Sequence, residues 1–231
     1  VLLHGNLWFR QMGGLIMKKL IASIILTLPA AALAAPSSQV AWTPEQLNFV
    51  KAGKADKGQQ LAQACAGCHG DKGISPSPTY PSLAGQLPTY LFKQLQDYKN
   101  GQREDPMMGG IAKGLSEQDA ADLAAWFASQ SPAFQSRSLM NYDQAEALVK
   151  DGNRERALPP CEVCHGKDGM GQVMDMPALA GQNAAYTSLT LKAFKNGTRH
   201  NDIYGRTRLL VDTLTDQEIE ELGFYYQNVK H

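Results

Sequence analysis

All four cysteines of the 231-residue chain fall in two pentapeptides, CAGCH from Cys65 to His69 and CEVCH from Cys161 to His165. Two thiols three residues apart can add to the two vinyl groups of one haem. The histidine that follows is then held against the iron as proximal ligand. Cys65, Cys68 and His69 form one candidate set, and Cys161, Cys164 and His165 the other. Other chemistries use only part of this pattern. A dithiol redox site needs no following histidine and sits on an α/β scaffold, whereas no alternating strand pattern is visible here. A zinc site pairs two C-x-x-C motifs about 15–20 residues apart, and these lie 96 apart. Disulfides within adjacent pairs make poor staples. Two covalently bound c-type haems account for every cysteine.

A haem iron also needs its proximal histidine oriented and its sixth position defined. Pro81 and Pro177 each precede a Leu-Ala-Gly run soon after a pentapeptide, and a proline carbonyl there is placed to receive the histidine ring N–H and fix the ring. Met107 and Met108 lie 38 and 39 residues after His69 in a glycine-rich stretch, read as a loop that folds over the distal haem face. A thioether ligand there raises the reduction potential and closes the iron to small molecules.

The elements that must position these groups are written twice. At an offset of 96, PSLAGQ (81–86) falls on PALAGQ (177–182), Tyr90 on Tyr186, and KNGQR (99–103) on KNGTR (195–199). The offset then becomes 99, so the second copy carries three extra residues, and LSEQDAADLAAWF (115–127) falls on LTDQEIEELGFYY (214–226). Helix signals recur in both copies. Thr43-Pro44-Glu45-Gln46 is a helix start, Gln59–Ala64 runs helically into the first pentapeptide, and 87–99 and 183–195 stop at Asn-Gly. Ser116-x-x-Asp119 and Thr215-x-x-Glu218 are capping boxes. Each opens a terminal helix with one apolar face: Ala120, Leu123, Ala124 and Phe127 in one copy, Ile219, Leu222 and Tyr226 in the other. The expected fold is all-α, in two units each too small to bury a large core of its own. A porphyrin would supply the apolar filling.

The ends and the balance of charge narrow the setting. Met17-Lys18-Lys19 followed by the short apolar run Leu20–Ala34, closing on Ala32-Leu33-Ala34, reads as an export signal cleaved near Ala34-Ala35. Residues 1–16 read as an over-extended start. The run is short of the roughly 20 apolar residues a membrane span needs. Removing 1–34 takes away Arg10, Lys18 and Lys19 and no acid, which leaves 19 basic against 22 acidic side chains. That balance makes no electrostatic case for nucleic acid. The expected organisation is an extension and signal over 1–34, a first haem domain over 35–132, a linker over 133–142 and a second haem domain over 143–231.

With CAGCH and CEVCH, both LAGQ segments, both KNG-x-R segments and the LSEQD and LTDQE helix starts in place, the sequence resembles the di-haem cytochromes c of the c4 type. These are two class I cytochrome c domains in one periplasmic chain. The resemblance covers essentially all of the chain after the signal. It implies single-electron transfer between a quinol-oxidising cytochrome complex and a terminal oxidase, with a dehydrogenase as the other kind of partner. It also implies that the axial methionine lies seven residues before the leucine that opens the terminal helix, which selects Met108 ahead of Leu115. The second copy departs from the pattern: Thr207 stands seven before Leu214, and no methionine follows Met176. An open or water-bound iron, His200, one of Met170, Met174 and Met176, and Tyr204 or a rearranged loop all remain as outcomes there. An electron carrier is the leading reading. A cytochrome subunit docked to a dehydrogenase or membrane complex, and a haem enzyme or ligand sensor using an open second iron, are the alternatives.

Overall fold

The structure, a computed structural model, describes residues 38, 40, 42–132, 134, 142–172 and 174–229. The expected signal over 1–34, and the expected linker apart from Phe134 and Tyr142, lie outside the described residues. The first half contains α1 (Pro44–Lys51), α2 (Ala55–Leu61), a 3-10 turn (Ala62–Cys65), α3 (Ala66–His69), α4 (Pro88–Asn100), α5 (Pro106–Lys113) and α6 (Glu117–Ala128). The second half contains α7 (Asp143–Lys150), a 3-10 turn (Arg154–Arg156), α8 (Glu162–His165), α9 (Ala184–Lys195), a 3-10 turn (Ile203–Gly205), α10 (Arg206–Val211) and α11 (Asp216–Asn228). Among the described residues there is no strand, and no helix is long and apolar enough to cross a membrane.

The local signals act where the sequence places them. Thr43 caps α1 with Pro44 at the first helical position. Ser116 and Thr215 close reciprocal capping boxes with Asp119 and Glu218. In each half the terminal helix crosses the longest preceding helix, α6 on α4 and α11 on α9. The apolar faces meet in two separate cores. One gathers Val50, Leu91, Phe92, Leu123 and Phe127; the other gathers Leu148, Val149, Phe194, Val211, Ile219, Leu222 and Tyr226. Two small clusters instead of one large one are what two tandem units of this size require.

The halves are joined by backbone recognition that runs both ways. Gln86 donates from Nε2 to the Ala178 carbonyl and accepts the Ala178 N–H at Oε1, both at 2.9 Å. Gln182 does the same to Ser82, again at 2.9 Å in each direction. Ser82 and Ala178 are equivalent positions of the repeat, so the contact has approximate two-fold symmetry. Each glutamine also accepts the next backbone N–H, of Leu87 or Asn183.

Candidate functional site

The two cysteine pentapeptides fold alike. Cys65 and Cys68 straddle the start of α3, which ends at His69; Cys161 caps α8, which carries Cys164 and ends at His165. A three-residue spacing within one helical turn brings both thiols of a pair to the same side, and all four thiols are free. The turn ends where the chain needs positive φ, at Gly70 and Gly166.

The imidazoles are fixed as the prolines predict. His69 Nδ1 lies 2.9 Å from the Pro81 carbonyl, and His165 Nδ1 lies 2.9 Å from the Pro177 carbonyl. A carbonyl only accepts, so Nδ1 carries the proton and Nε2 keeps its lone pair for a metal. Burial pushes both imidazoles below their ordinary value of 6.5, against the opposing pull of the proline carbonyl, which keeps them neutral near pH 7. Burial also pushes the Cys65 thiol up and the Cys161 thiol up to about 11. A dithiol oxidoreductase needs the opposite direction, a stabilised thiolate.

The loop behind each histidine is tied to the terminal helix. Leu83 and Ala84 donate to the Gly73 carbonyl at 2.6 and 3.0 Å, and Gly85 donates to the Phe127 carbonyl at 2.9 Å. Leu179, Ala180 and Gly181 repeat this on Gly169 and Tyr226. A Cβ on Gly73 would stand 2.7 Å from the Phe127 ring, so only glycine lets this loop close on α6.

The distal segments differ between the halves. Met107 and Met108 do not lie in a loop, as their glycine-rich setting suggests; they occupy the first turn of α5. Asp105 accepts the N–H groups of both, at 3.0 and 2.8 Å, and Pro106 takes the first helical position. That start offsets the roughly 1 kcal/mol that each of Gly109 and Gly110 costs a helix. Met107 is 55% exposed, whereas Met108 is half-buried. In the second half the three extra residues form the 3-10 turn Ile203–Gly205, with Tyr204 and Gly205 both left-handed at φ 58 and 66. The register after that turn is fixed by matching contacts. Buried Ala112 corresponds to buried Val211. The Leu115 and Leu214 N–H groups bond Ala112 and Val211 carbonyls, and the Lys99 and Lys195 ammoniums bond the Leu115 and Leu214 carbonyls. Position 207 on α10 is therefore the counterpart of position 108 on α5.

Between the halves lies a cleft of about 370 Å³ whose lining includes Tyr98, Arg103, Tyr186 and Arg199. Arg103 Nη2 donates to the Tyr186 hydroxyl at 3.0 Å, and Arg199 Nη2 to the Tyr90 hydroxyl at 3.1 Å, each across the interface. Arg103 stacks over Tyr98 and Arg199 over Phe194, again equivalent positions. Burial would raise the Tyr186 phenol, but Arg103 and Arg199 outweigh it and hold it down to about 7. Arg199 Nη1 is buried with no partner among the described residues. A buried and a half-buried guanidinium with a spare donor suit a group that brings carboxylates, which haem does. The free thiols, the neutral imidazoles with open Nε2 and this donor set all fit haem c. In the sequence, LAGQ and KNG-x-R stand out as repeat markers and, at Asn-Gly, as helix stops. Their polar side chains recurring in both copies beside the histidine loops was the signal that they join the halves.

Comparison with known proteins agrees with this geometry. The cytochrome c family model matches residues 55–131. Cytochrome c4 of Pseudomonas aeruginosa is 37% identical over 217 residues, 92% of this chain and all of that protein. A thiosulfate dehydrogenase electron acceptor of Thiomonas intermedia is 32% identical over 211 residues, 90% of this chain and 89% of that protein. The crystal structure of reduced recombinant cytochrome c4 from Pseudomonas stutzeri superposes with a TM-score of 0.75 at 37% identity, covering 78% of this chain and 100% of that one.

Proposed function

This chain belongs to the cytochrome c4 family, and on that footing we propose that it is a periplasmic electron carrier with one haem c in each half. Haem supplies a one-electron change between ferric and ferrous iron. The protein's own residues do the rest. Cys65 and Cys68 hold one ring and Cys161 and Cys164 the other, while His69 and His165 present Nε2 with Pro81 and Pro177 fixing their planes. Met108, the half-buried member of its pair, is assigned as the distal ligand of the first haem. The domains are taken as 35–132 and 143–231, joined by 133–142, with the basic and apolar run before Ala35 as the export signal.

The observation that carries this reading is the repeated unit of two cysteines on one helical turn, a neutral imidazole and a proline carbonyl at 2.9 Å. It is an electron-transfer protein and not an enzyme. Its electron donor is assigned as a dehydrogenase or a quinol-oxidising complex. The dehydrogenase is favoured by the relatives named as thiosulfate dehydrogenase electron acceptors, from Stutzerimonas stutzeri as well as Thiomonas intermedia. The test is the mass of the protein matured in a periplasm, followed by coulometric titration. The mass should exceed that of the polypeptide from Ala35 by two haems, and the titration should deliver two electrons per chain. A haem stain lost on denaturation, or fewer than two electrons, overturns the reading.

A further inference from the structure

We propose that Thr207 leaves the sixth position of the second haem open to small exogenous ligands, neutral diatomics on ferrous iron and small anions on ferric iron. This rests on each half holding a haem c. The register argument supplies the core of it: α10 is matched to α5 by Ala112 with Val211 and by the lysine and leucine contacts at its end, so Thr207 stands where Met108 stands. A neutral hydroxyl is a weak donor to iron where a thioether is a strong one. Thr207 is half-buried, and a threonine hydroxyl can donate a hydrogen bond to a ligand bound beside it.

The other side chains that could close the iron are tied into the fold around them. His200 sits between Arg199 and Asn201, both buried. Asn201 donates to Gln94 at 3.0 Å and Asp97 at 2.7 Å, and its carbonyl accepts from Lys93 at 2.6 Å. Swinging His200 inward would break that network at its centre. Tyr204 is 92% exposed and leads the chain into the left-handed turn. Met174 and Met176 lie in the loop 171–177, whose two ends bind the same residue, through Gly171 N–H to the His165 carbonyl and the Pro177 carbonyl to the His165 ring, and Met170 immediately precedes it. The distal segment is itself pinned: Arg206 pairs with Asp175 at 2.7 Å, and Asp202 takes both the Arg208 guanidinium at 2.8 Å and the Arg208 N–H at 3.0 Å. A rearrangement that brings another ligand over the iron would have to undo both.

The experiment uses the full matured protein. Haem content is measured first by mass, and two haems per chain verifies the reading on which the proposal rests. The reduced protein is then titrated with carbon monoxide and the ferric protein with cyanide. One ligand per chain is expected in each case, with half of the Soret absorbance shifting. Thr207→Met should abolish uptake and add a second thioether-to-iron band at the red end of the ferric spectrum. With two haems present, no carbon monoxide uptake by a fully low-spin wild-type protein overturns the proposal, because another residue then fills the position. Uptake of two per chain overturns it also, since the halves would not differ. Thr207→Met that still takes up one ligand and gains no band shows that residue 207 does not face the iron. A haem count below two removes the proposed function itself, a separate failure.

Discussion

Replacing Gln86 by leucine should uncouple the two halves. The side chain is 6% exposed and makes three hydrogen bonds: Nε2 to the Ala178 carbonyl, and Oε1 from the Ala178 and Leu87 N–H groups. Leucine keeps the bulk and removes every partner. At about 0.5–1.5 kcal/mol net for each neutral bond, with stranded backbone groups pushing towards the upper end, the loss is about 2–4 kcal/mol. Gln182 makes the equivalent three bonds but is only half-buried, so Gln182→Leu should cost less, about 1–3 kcal/mol. The two act on the same pair of segments, and the double variant should fall short of the sum by about 0.5–3 kcal/mol. The assay is guanidinium unfolding of the haem-loaded protein followed by two probes. Trp42 and Trp126 both lie in the first half, and the described part of the second half has no tryptophan, so their fluorescence reports the first half while far-ultraviolet circular dichroism reports the whole. The wild-type curves should coincide and the Gln86→Leu curves should separate. Coincident curves with an unchanged midpoint would refute the claim that these glutamines couple the halves.

Two further outcomes follow from the sites and the caps. Met108→Ala should remove the thioether-to-iron band of the first haem and lower its potential, while Met107→Ala, at the exposed position, should leave both nearly unchanged; ferric absorption and a redox titration check this, and the reverse ranking would mean that α5 presents its other methionine. Glu218 forms a bidentate pair with Arg156 at 2.7 and 2.8 Å, which chiefly holds its carboxyl down from 4.5 to about 2 despite burial. Because the folded value is depressed, the pair stabilises the second half fully above the unfolded value near 4.5, and that contribution is lost as pH falls towards 2. Arg156→Met should lower stability at pH 7 and flatten the acid dependence across that window, read by denaturant unfolding at several pH values.

Much of this molecule is legible in its sequence because its signals are local and duplicated. Capping boxes, Asn-Gly stops and the apolar faces of α6 and α11 are decided within a few residues, and each is found where the pattern puts it. So are the histidine–proline contacts, because a spacing of 12 residues closes one small loop. The helix carrying Met107 and Met108 was hidden by Gly109 and Gly110, which read as a loop although Asp105-Pro106 is a helix start. What one strand of sequence could not reveal was pairing across the halves. Gln86 finds Ala178 only after both units have folded, and Gln94 serves Arg103, Arg199 and Asn201 at once. Lys93 and Asp97 look like a solvated i, i+4 pair, yet both are buried against Asn201, at 2% and 1% exposure.

The reciprocal contact also says something about ancestry. An interface in which Gln86 meets Ala178 while Gln182 meets Ser82, and Arg103 meets Tyr186 while Arg199 meets Tyr90, is the kind two identical subunits make with each other. The tandem chain thus reads as a fused dimer, one chain joining what symmetry had already joined. Fusion changes what mutation can do. In a dimer of identical subunits a methionine-to-threonine change would strike both irons together. In a single gene holding two copies, one iron is free to drift to a new role while the other keeps the old one. Thr207 and the one-sided Lys93–Asp97–Asn201 cluster are the marks of that freedom.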